Sequence, residues 1–153
     1  MTIKKVQHLT KRFFGALSQK PPLVTEIAQV TSILTTLEFA LWSAMPPMDQ
    51  RHSIVVMQRF VELYASATKF EIRAALLHDV GKTASNLGVI QRVMATLIGR
   101  ISKSFSDYHE HEQIGAQMLQ KIDSHEITWQ LVAGDSKPEL QTALQALRQA
   151  DNI

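Results

Sequence analysis

Apolar residues recur every three or four positions along most of this chain, and that spacing is the period of an α-helix. Two proline pairs, Pro21-Pro22 and Pro46-Pro47, interrupt the pattern and mark helix ends, because proline has no backbone N–H to donate. The alternating pattern of strands is absent from the sequence, as are the Asn-Gly and Asp-Gly turns of hairpins. The sequence therefore predicts an all-α fold, a single-domain helical bundle.

The predicted helices follow from the same period. They cover residues 3–18, 24–45 with a break near Thr35-Thr36, 49–67, 70–80, 86–101, 108–121, 124–133 and 137–151. Asp49 is predicted to cap the helix that follows it, and Gly81 to end the next one. We expect the helices of residues 1–45 to pack on a bundle formed by residues 46–153, so that the two parts make one globular unit.

The amino-acid composition excludes several kinds of site and partner. The 153 residues include no cysteine, which excludes disulfides, thiolate zinc sites and cysteine nucleophiles, so any metal must be bound by His, Asp or Glu. A net charge of +2 is too small a bias to predict nucleic-acid binding. No apolar run approaches the ~20 residues that span a bilayer, and the N-terminus lacks the pattern of a secretory signal. The expected location is the cytoplasm.

His52 interrupts the apolar face of its predicted helix. Positions three, four, eight and eleven beyond it are apolar, namely Val55, Val56, Phe60 and Leu63. A histidine in such a place is either a hydrogen-bonded core residue or a ligand, and its position alone favours the core residue.

Two acidic residues interrupt apolar faces in the same way. Asp79 follows Ala75 and Leu76 at helical spacing, and the small alanines allow another backbone to approach. Asp151 follows Leu147, Leu144 and Leu140. Burying an unpaired carboxylate is costly or forces its protonation, and a cation removes that cost. For Asp151 the alternative is an exposed carboxylate at a fraying helix end. If no metal is bound, we expect Asp79 and Asp151 to repel each other and one of them to hold a proton.

The segment after residue 107 contains two histidines. His111 shares the apolar face of Ile114, Gly115, Met118 and Ile122, whereas His109 precedes polar positions. We therefore expect His111, and not His109, to face a site.

At residues 74–82 the sequence Ala-Ala-Leu-Leu-His-Asp-Val-Gly-Lys resembles the signature of the HD superfamily of metal-dependent phosphohydrolases. In that family a His-Asp doublet in an apolar helix is preceded by a distant His and followed by a distant Asp. His52 lies 26 residues before His78, and Asp151 matches the final Asp. The resemblance covers about residues 49–152 and implies a helical bundle that binds one or two divalent metals and hydrolyses phosphate esters.

The resemblance also implies residue roles. His52, His78, Asp79 and Asp151 correspond to the ligands of the first metal, whose identity (Mn, Fe, Co, Ni, Zn or Mg) the ligand types leave open. Asp79 is also a candidate to orient the attacking water, and Lys82 to contact a phosphate oxygen as a point charge. For Lys82 the alternative is a solvated side chain after a helix-ending glycine.

Two-metal members of the family add histidines from later helices. His111, which precedes Ile114-Gly115, resembles the first of these, and is a candidate second-metal ligand, phosphate contact or proton donor. Where the next histidine is expected, this chain has Asp135, which is either a ligand or a helix-end carboxylate. The Gly-Tyr-Pro motif of the cyclic-di-GMP branch is absent, which argues against that substrate.

Two functions from different classes are consistent with the sequence. The first is a metal-dependent phosphohydrolase that acts on a nucleotide or another small phosphate ester. The second is a non-catalytic binding or signalling module that keeps the fold and a metal. The basic N-terminal helix, with Phe13, Phe14 and Leu17, could also rest on an anionic membrane, but packing of its apolar stripe on the bundle is favoured.

Overall fold

The computed structural model describes residues 19–85 and 110–153, and within these ranges it contains helices and no strand. The α-helices are α1 (Val24–Ile33), α2 (Thr36–Ser43), α3 (Pro47–Leu63), α4 (Lys69–Leu77), α5 (Glu110–Lys121), α6 (Glu126–Val132) and α7 (Gln141–Asp151). Two 3-10 helices, Val80–Ser85 and Pro138–Leu140, follow α4 and precede α7. The all-α prediction is confirmed. The helices predicted over residues 3–18 and 86–101 lie outside the described residues.

The break predicted near Thr35-Thr36 is present. α1 ends at Ile33, and Thr35 then caps α2 by accepting a hydrogen bond from the Glu38 amide, while the Glu38 carboxylate accepts one from the Thr35 amide. This reciprocal pair of bonds satisfies two amides that the first turn of a helix leaves free.

The prediction that Asp49 caps the third helix is wrong. α3 begins two residues earlier, at Pro47, with Pro46 as its cap residue. Proline is well suited to the first helical position because the N–H it lacks would have no partner there. Asp49 is therefore inside the first turn, on the same face as His52 three residues later. The far end is also shorter than predicted, at Leu63 instead of residue 67.

The helix that precedes the His-Asp doublet ends earlier than predicted. α4 runs from Lys69, behind a Thr68 cap, to Leu77, so His78 and Asp79 lie in the turn that leads into the 3-10 helix. The doublet is thus held at a helix end and not within a regular helix. Asp79 is almost fully buried all the same, with 2% of its surface exposed.

One cluster of buried apolar side chains connects the helices. Its fully buried members include Leu41, Trp42, Phe60, Leu76, Leu119 and Leu131. The Trp42 indole N–H also donates a hydrogen bond of 2.9 Å to the Ser53 hydroxyl, which joins α2 to α3. None of the described helices has the length and hydropathy needed to cross a membrane.

Two glycines allow the 3-10 helix after the doublet to lie directly on α5. A Cβ atom at Gly81 would be 1.8 Å from the carbonyl oxygen of His111 and 2.6 Å from the amide nitrogen of Gly115. Real Cβ atoms essentially never come within 3.0 Å of another heavy atom, so only glycine fits at position 81. This backbone contact places α5, and with it His111, beside the doublet.

Candidate metal centre

His52 and Asp151 are brought together from opposite ends of the described chain. The Nε2 atom of His52, on α3, lies 2.8 Å from Oδ1 of Asp151, the last residue of α7. The guanidinium of Arg59, two turns after His52, donates hydrogen bonds to the carbonyl oxygens of Ala150 (3.0 Å) and Gln149 (3.4 Å). Arg59 thus satisfies carbonyls that the end of α7 leaves free and fixes the end that carries Asp151.

His78 lies beside these two residues, and we call His52, His78 and Asp151 the His/Asp group. The Nδ1 atom of His78 lies 2.8 Å from the Ala75 carbonyl oxygen, which can only accept, so Nδ1 carries the proton of that bond. Its Nε2 lies 3.3 Å from Asp151 Oδ1 and 3.4 Å from Asp79 Oδ2, but neither contact has hydrogen-bond geometry. Among the described side chains, those of residues 19–82 and 111–153, it is the one buried nitrogen or oxygen without a hydrogen-bond partner.

This arrangement fits a metal ion. One ligand atom each from His52, His78 and Asp151 lies within 4.8 Å of the other two. Two donors bound at about 2.0–2.2 Å to one ion are at most about 4.4 Å apart, so a small contraction would bring all three into bonding distance. Imidazole nitrogen and carboxylate oxygen are ligands for a borderline or hard divalent ion, and the orphaned Nε2 of His78 would gain a partner.

Asp79 adjoins the group and is held by a lysine. Lys82 Nζ lies 2.7 Å from Asp79 Oδ2, and the Asp79 side chain is only 3% exposed. Lys82 is therefore paired with the doublet, which differs from the solvated side chain that was the alternative at this position. Asp79 Oδ2 is shared between Lys82 and the nearby His78.

His111 faces the same group from α5. Its Nε2 lies 3.9 Å from Asp79 Oδ1, and 17% of its side chain is exposed. The predicted orientation of His111 agrees with this geometry. His109, the other histidine of that prediction, lies outside the described residues.

Opposite charges shift the ionisation of the group. Burial alone would lower the pKa of His78, but the carboxylates of Asp151 and Asp79 outweigh it and raise that pKa to about 10. Burial likewise acts to raise the pKa of Asp79, but His78 and Lys82 hold it well below its usual range. Hydrogen bonding to His52, together with the positive charge of the nearby His78, lowers the pKa of Asp151. The free protein therefore carries a proton on His78 between two ionised carboxylates.

This finding corrects the expectation that Asp79 and Asp151 repel each other and that one of them holds a proton when no metal is bound. The imidazole of His78 lies between them and supplies compensating positive charge, and His52 and Lys82 contact the same carboxylate oxygens, Oδ1 of Asp151 and Oδ2 of Asp79. A metal that binds here must displace a proton from a histidine, not from a carboxylate.

Asp135 is not brought to the group. It follows Gly134, which has φ = +70° and ends α6 with bonds from the Gly134 amide to the Leu131 carbonyl and from the Asp135 amide to the Gln130 carbonyl. The Asp135 carboxylate accepts a hydrogen bond of 3.1 Å from the Lys137 amide. Its position is that of a carboxylate in a helix-ending turn, and it does not line the cavity beside the His/Asp group.

A cavity of about 190 Å³ opens beside His78, Asp79, Lys82, His111 and Asp151, several times the ~30 Å³ of a water molecule. Its remaining walls are Glu112, Leu131, Val132, Gly134, Leu144, Leu147 and Arg148. Glu112 and Arg148 were not among the site residues predicted from the sequence, although the position of Arg148, one turn before Asp151, was a signal.

Asp49 was also missed as a neighbour of the group, because it was interpreted as a helix cap. Burial, followed by the negative charge of Asp79, raises the pKa of Asp49. The available signal was its spacing of three residues from His52, which places both on one helix face.

Comparison with known proteins gives one result for this chain. The family model described as HD domain matches residues 50–153, about two thirds of the sequence. No curated protein and no solved structure matches the chain.

Proposed function

The chain belongs to the HD-domain family, and on that premise we propose that it is a metal-dependent phosphohydrolase that acts on a nucleotide or another small phosphate ester. In this proposal His52, His78, Asp79 and Asp151 hold the metal. The observation that carries it is the buried Nε2 of His78, which faces Asp151 and Asp79 oxygens without a hydrogen bond. A buried polar atom without a hydrogen bond is costly, and a bound cation would give this nitrogen a ligand bond in its place.

A divalent ion at such a site supplies positive charge for the phosphoryl oxygens and lowers the pKa of water so that it can attack phosphorus. The role of Asp79 in this chemistry follows from its ionisation. Because its pKa lies well below the usual range, Asp79 is a weak base near neutral pH, and it serves better as an anionic ligand that orients water by accepting its hydrogen bond.

Two further side chains have roles in the proposed reaction. Lys82 lines the cavity beside Asp79, where its ammonium can contact a phosphoryl oxygen and offset part of the charge there. His111 lines the same cavity on the α5 side, where an imidazole can donate a proton to the departing alcohol oxygen.

The alternative is a non-catalytic module that retains the metal. The position of Asp135 favours it, because a second set of ligands would then have only His111 among the candidates taken from the sequence. The two functions make different demands on the chain: the module needs the four proposed ligands, whereas the hydrolase also needs Lys82 and His111.

Phosphate release tests the proposal. Protein purified without chelator or nickel resin is analysed for bound metal and then incubated with nucleotides and simple phosphomonoesters in Mn²⁺, Co²⁺ or Mg²⁺. We expect release by the wild type, loss of release in Asp79→Ala, and unchanged release in Glu62→Gln, an exposed charge change on α3. Bound metal with no release from any ester would refute the hydrolase and support the module.

A further inference from the structure

One side of the cavity is formed by Glu112, Gly134 and Arg148, which we call the rim. Glu112 is on α5, next to His111, and Arg148 is on α7, three residues before Asp151. A helix rises about 1.5 Å per residue, so Arg148 starts about 4.5 Å along α7 from Asp151. The two charged residues of the rim are thus carried by the same two helices as His111 and Asp151.

Gly134 leaves a small volume open between the two charged side chains. A Cβ at Gly134 would lie 3.0 Å from Glu112 Oε2 and 3.7 Å from an Arg148 guanidinium nitrogen. Both charged ends therefore border the space above this glycine. The backbone conformation of Gly134, with φ = +70°, also disfavours any side chain there.

Glu112 and Arg148 do not neutralise each other. Their charged atoms do not form an ion pair, and neither side chain pairs with another residue in the described ranges. Arg148 can only donate hydrogen bonds, and an ionised Glu112 can only accept them. The rim therefore offers one strong donor and one strong acceptor to whatever enters the space.

These two groups select the chemistry of a ligand. A second anionic group would be repelled by Glu112, and a cation would be repelled by Arg148. An apolar group would leave both charges without partners. A hydroxyl satisfies both, because its O–H donates to Glu112 and its oxygen accepts from Arg148. The apolar side chains of Leu131, Leu144 and Leu147 line the cavity beside the rim and can pack on the C–H face of a ring.

We propose that the rim binds the vicinal hydroxyls of a sugar whose phosphate ester is placed at the His/Asp group. The proposal rests on the proposed function, which it extends from a phosphate ester in general to a sugar phosphate, including the sugar phosphate of a nucleotide. Glu112 and Arg148 are specificity residues in this assignment: they bind the alcohol part of the substrate, and the transferred phosphoryl group lies elsewhere.

Two nucleotides that differ only in their hydroxyls test this. Adenosine 5′-monophosphate carries the 2′- and 3′-hydroxyls, and its 2′,3′-dideoxy analogue lacks both. Binding of each is measured by calorimetry in EDTA, where no turnover occurs, and kcat/KM of each is measured with Mn²⁺. The proteins compared are the wild type, Glu112→Gln, Arg148→Gln and the surface control Glu62→Gln.

We expect the wild type and Glu62→Gln to prefer the ribonucleotide by about tenfold or more, as for hydrogen bonds to charged groups. Both rim variants should lower this ratio towards one, mainly through the ribonucleotide's affinity and KM. Equal use of the two nucleotides by the wild type, or an unchanged ratio in both rim variants, would overturn the assignment.

The same experiment separates the rim from the proposed function. If the wild type hydrolyses 4-nitrophenyl phosphate but binds neither nucleotide, the phosphohydrolase stands and the sugar rim is wrong. If no ester is hydrolysed, the phosphohydrolase is wrong, and the calorimetric ratio alone decides the rim: a preference for the ribonucleotide that the rim variants abolish supports it, and anything else refutes it.

Discussion

Replacing Gly81 by alanine tests the backbone contact that places α5 beside the His-Asp doublet. The added Cβ would lie 1.8 Å from the His111 carbonyl oxygen, about 1.6 Å short of the 3.4 Å at which ordinary contact begins. The second neighbour, the Gly115 amide nitrogen, would be 2.6 Å away. Both neighbours are backbone atoms of a helix, so no rotamer change can relieve the overlap and the 3-10 helix must move away from α5.

The size of the effect follows from that displacement. Overpacking a core typically lowers the free energy of unfolding by 1–3 kcal/mol, and side chains usually absorb part of the strain. Here the backbone must absorb it all, so we expect a loss of about 3 kcal/mol or more. A small gain from restricting the unfolded chain, about 0.4–1 kcal/mol for Gly to Ala, offsets little of this. For a domain of this length the melting temperature should fall by about 6–12 °C.

Gly115→Ala is the matched control, because it adds the same methyl group on the other side of the contact. Its nearest neighbours would be Val132 Cγ1 at 3.1 Å, the Gly81 amide nitrogen at 3.2 Å and Val80 Cγ1 at 3.3 Å. Two of these are side-chain ends that can shift, and alanine gains about 1 kcal/mol over glycine within a helix. We therefore expect Gly115→Ala to melt within a few degrees of the wild type.

Thermal and urea unfolding of the three proteins measure the difference. Displacement of α5 should also increase the distance between His111 and Asp79, so Gly81→Ala should release phosphate more slowly below its melting transition. A Gly81→Ala protein that melts within 2 °C of the wild type, or a Gly115→Ala protein that is equally destabilised, would refute the close approach as the reason for glycine at position 81.

Three further predictions concern the His/Asp group. Arg59→Gln should lower the free energy of unfolding by about 1.5 kcal/mol and weaken metal affinity roughly tenfold, because it frees the end of α7 that carries Asp151. Unfolding curves and metal titration measure these two effects. A metal at a hundredfold excess over its dissociation constant should add about 2.7 kcal/mol to stability in the wild type and nothing in Asp79→Ala; equal melting of the wild type with EDTA and with Mn²⁺ would contradict the site. In EDTA, the stabilisation that comes from the raised pKa of His78 is complete below the ordinary pKa of 6.5 and is lost as pH rises towards about 10. The stabilisation that comes from the lowered pKa values of Asp79 and Asp151 persists down to about pH 4. The melting temperature should therefore fall between pH 6.5 and 10, and the fall should be smaller with metal bound.

The sequence was informative about the residues that lie around Asp79, because polar residues on otherwise apolar faces are conspicuous at helical spacing. His78, Asp79 and His111 are close together in the structure. The apolar faces pointed to Asp79 and His111, whereas His78 came from the resemblance to the HD superfamily. His52 and Asp151 are in contact as well, which the resemblance to the HD superfamily implied and helical spacing alone left open. Their role as metal ligands stays a prediction.

Other features could not be predicted from periodicity, and the phase of α3 is an example. Val55 and Leu63 were taken as part of its apolar face, but they are 42% and 44% exposed. The helix instead buries Ser53, which is tolerated inside because the Trp42 indole donates to its hydroxyl. A hydrogen bond between two helices does not affect the spacing of apolar residues along either helix.

Glu112 and Arg148 illustrate a second limit. Long charged side chains on a helix usually face solvent, and these two are exposed as well. What distinguishes them is the cavity between them, which depends on the end of α6 at Gly134 and on the placement of α5 and α7 around that cavity. Neither of those is encoded in the period of any one helix.

The contact between His52 and Asp151 joins residues that are 99 positions apart. Closing so long a loop is entropically costly, and such distant contacts tend to form late as a chain folds. An ion bound by both side chains would then stabilise the native state more than the transition state for folding. Stabilisation of that kind lengthens the lifetime of the folded protein and leaves its folding rate nearly unchanged. Metal at this site would therefore stabilise a chain that has already folded. Its removal by a chelator would make the protein unfold faster without slowing its refolding.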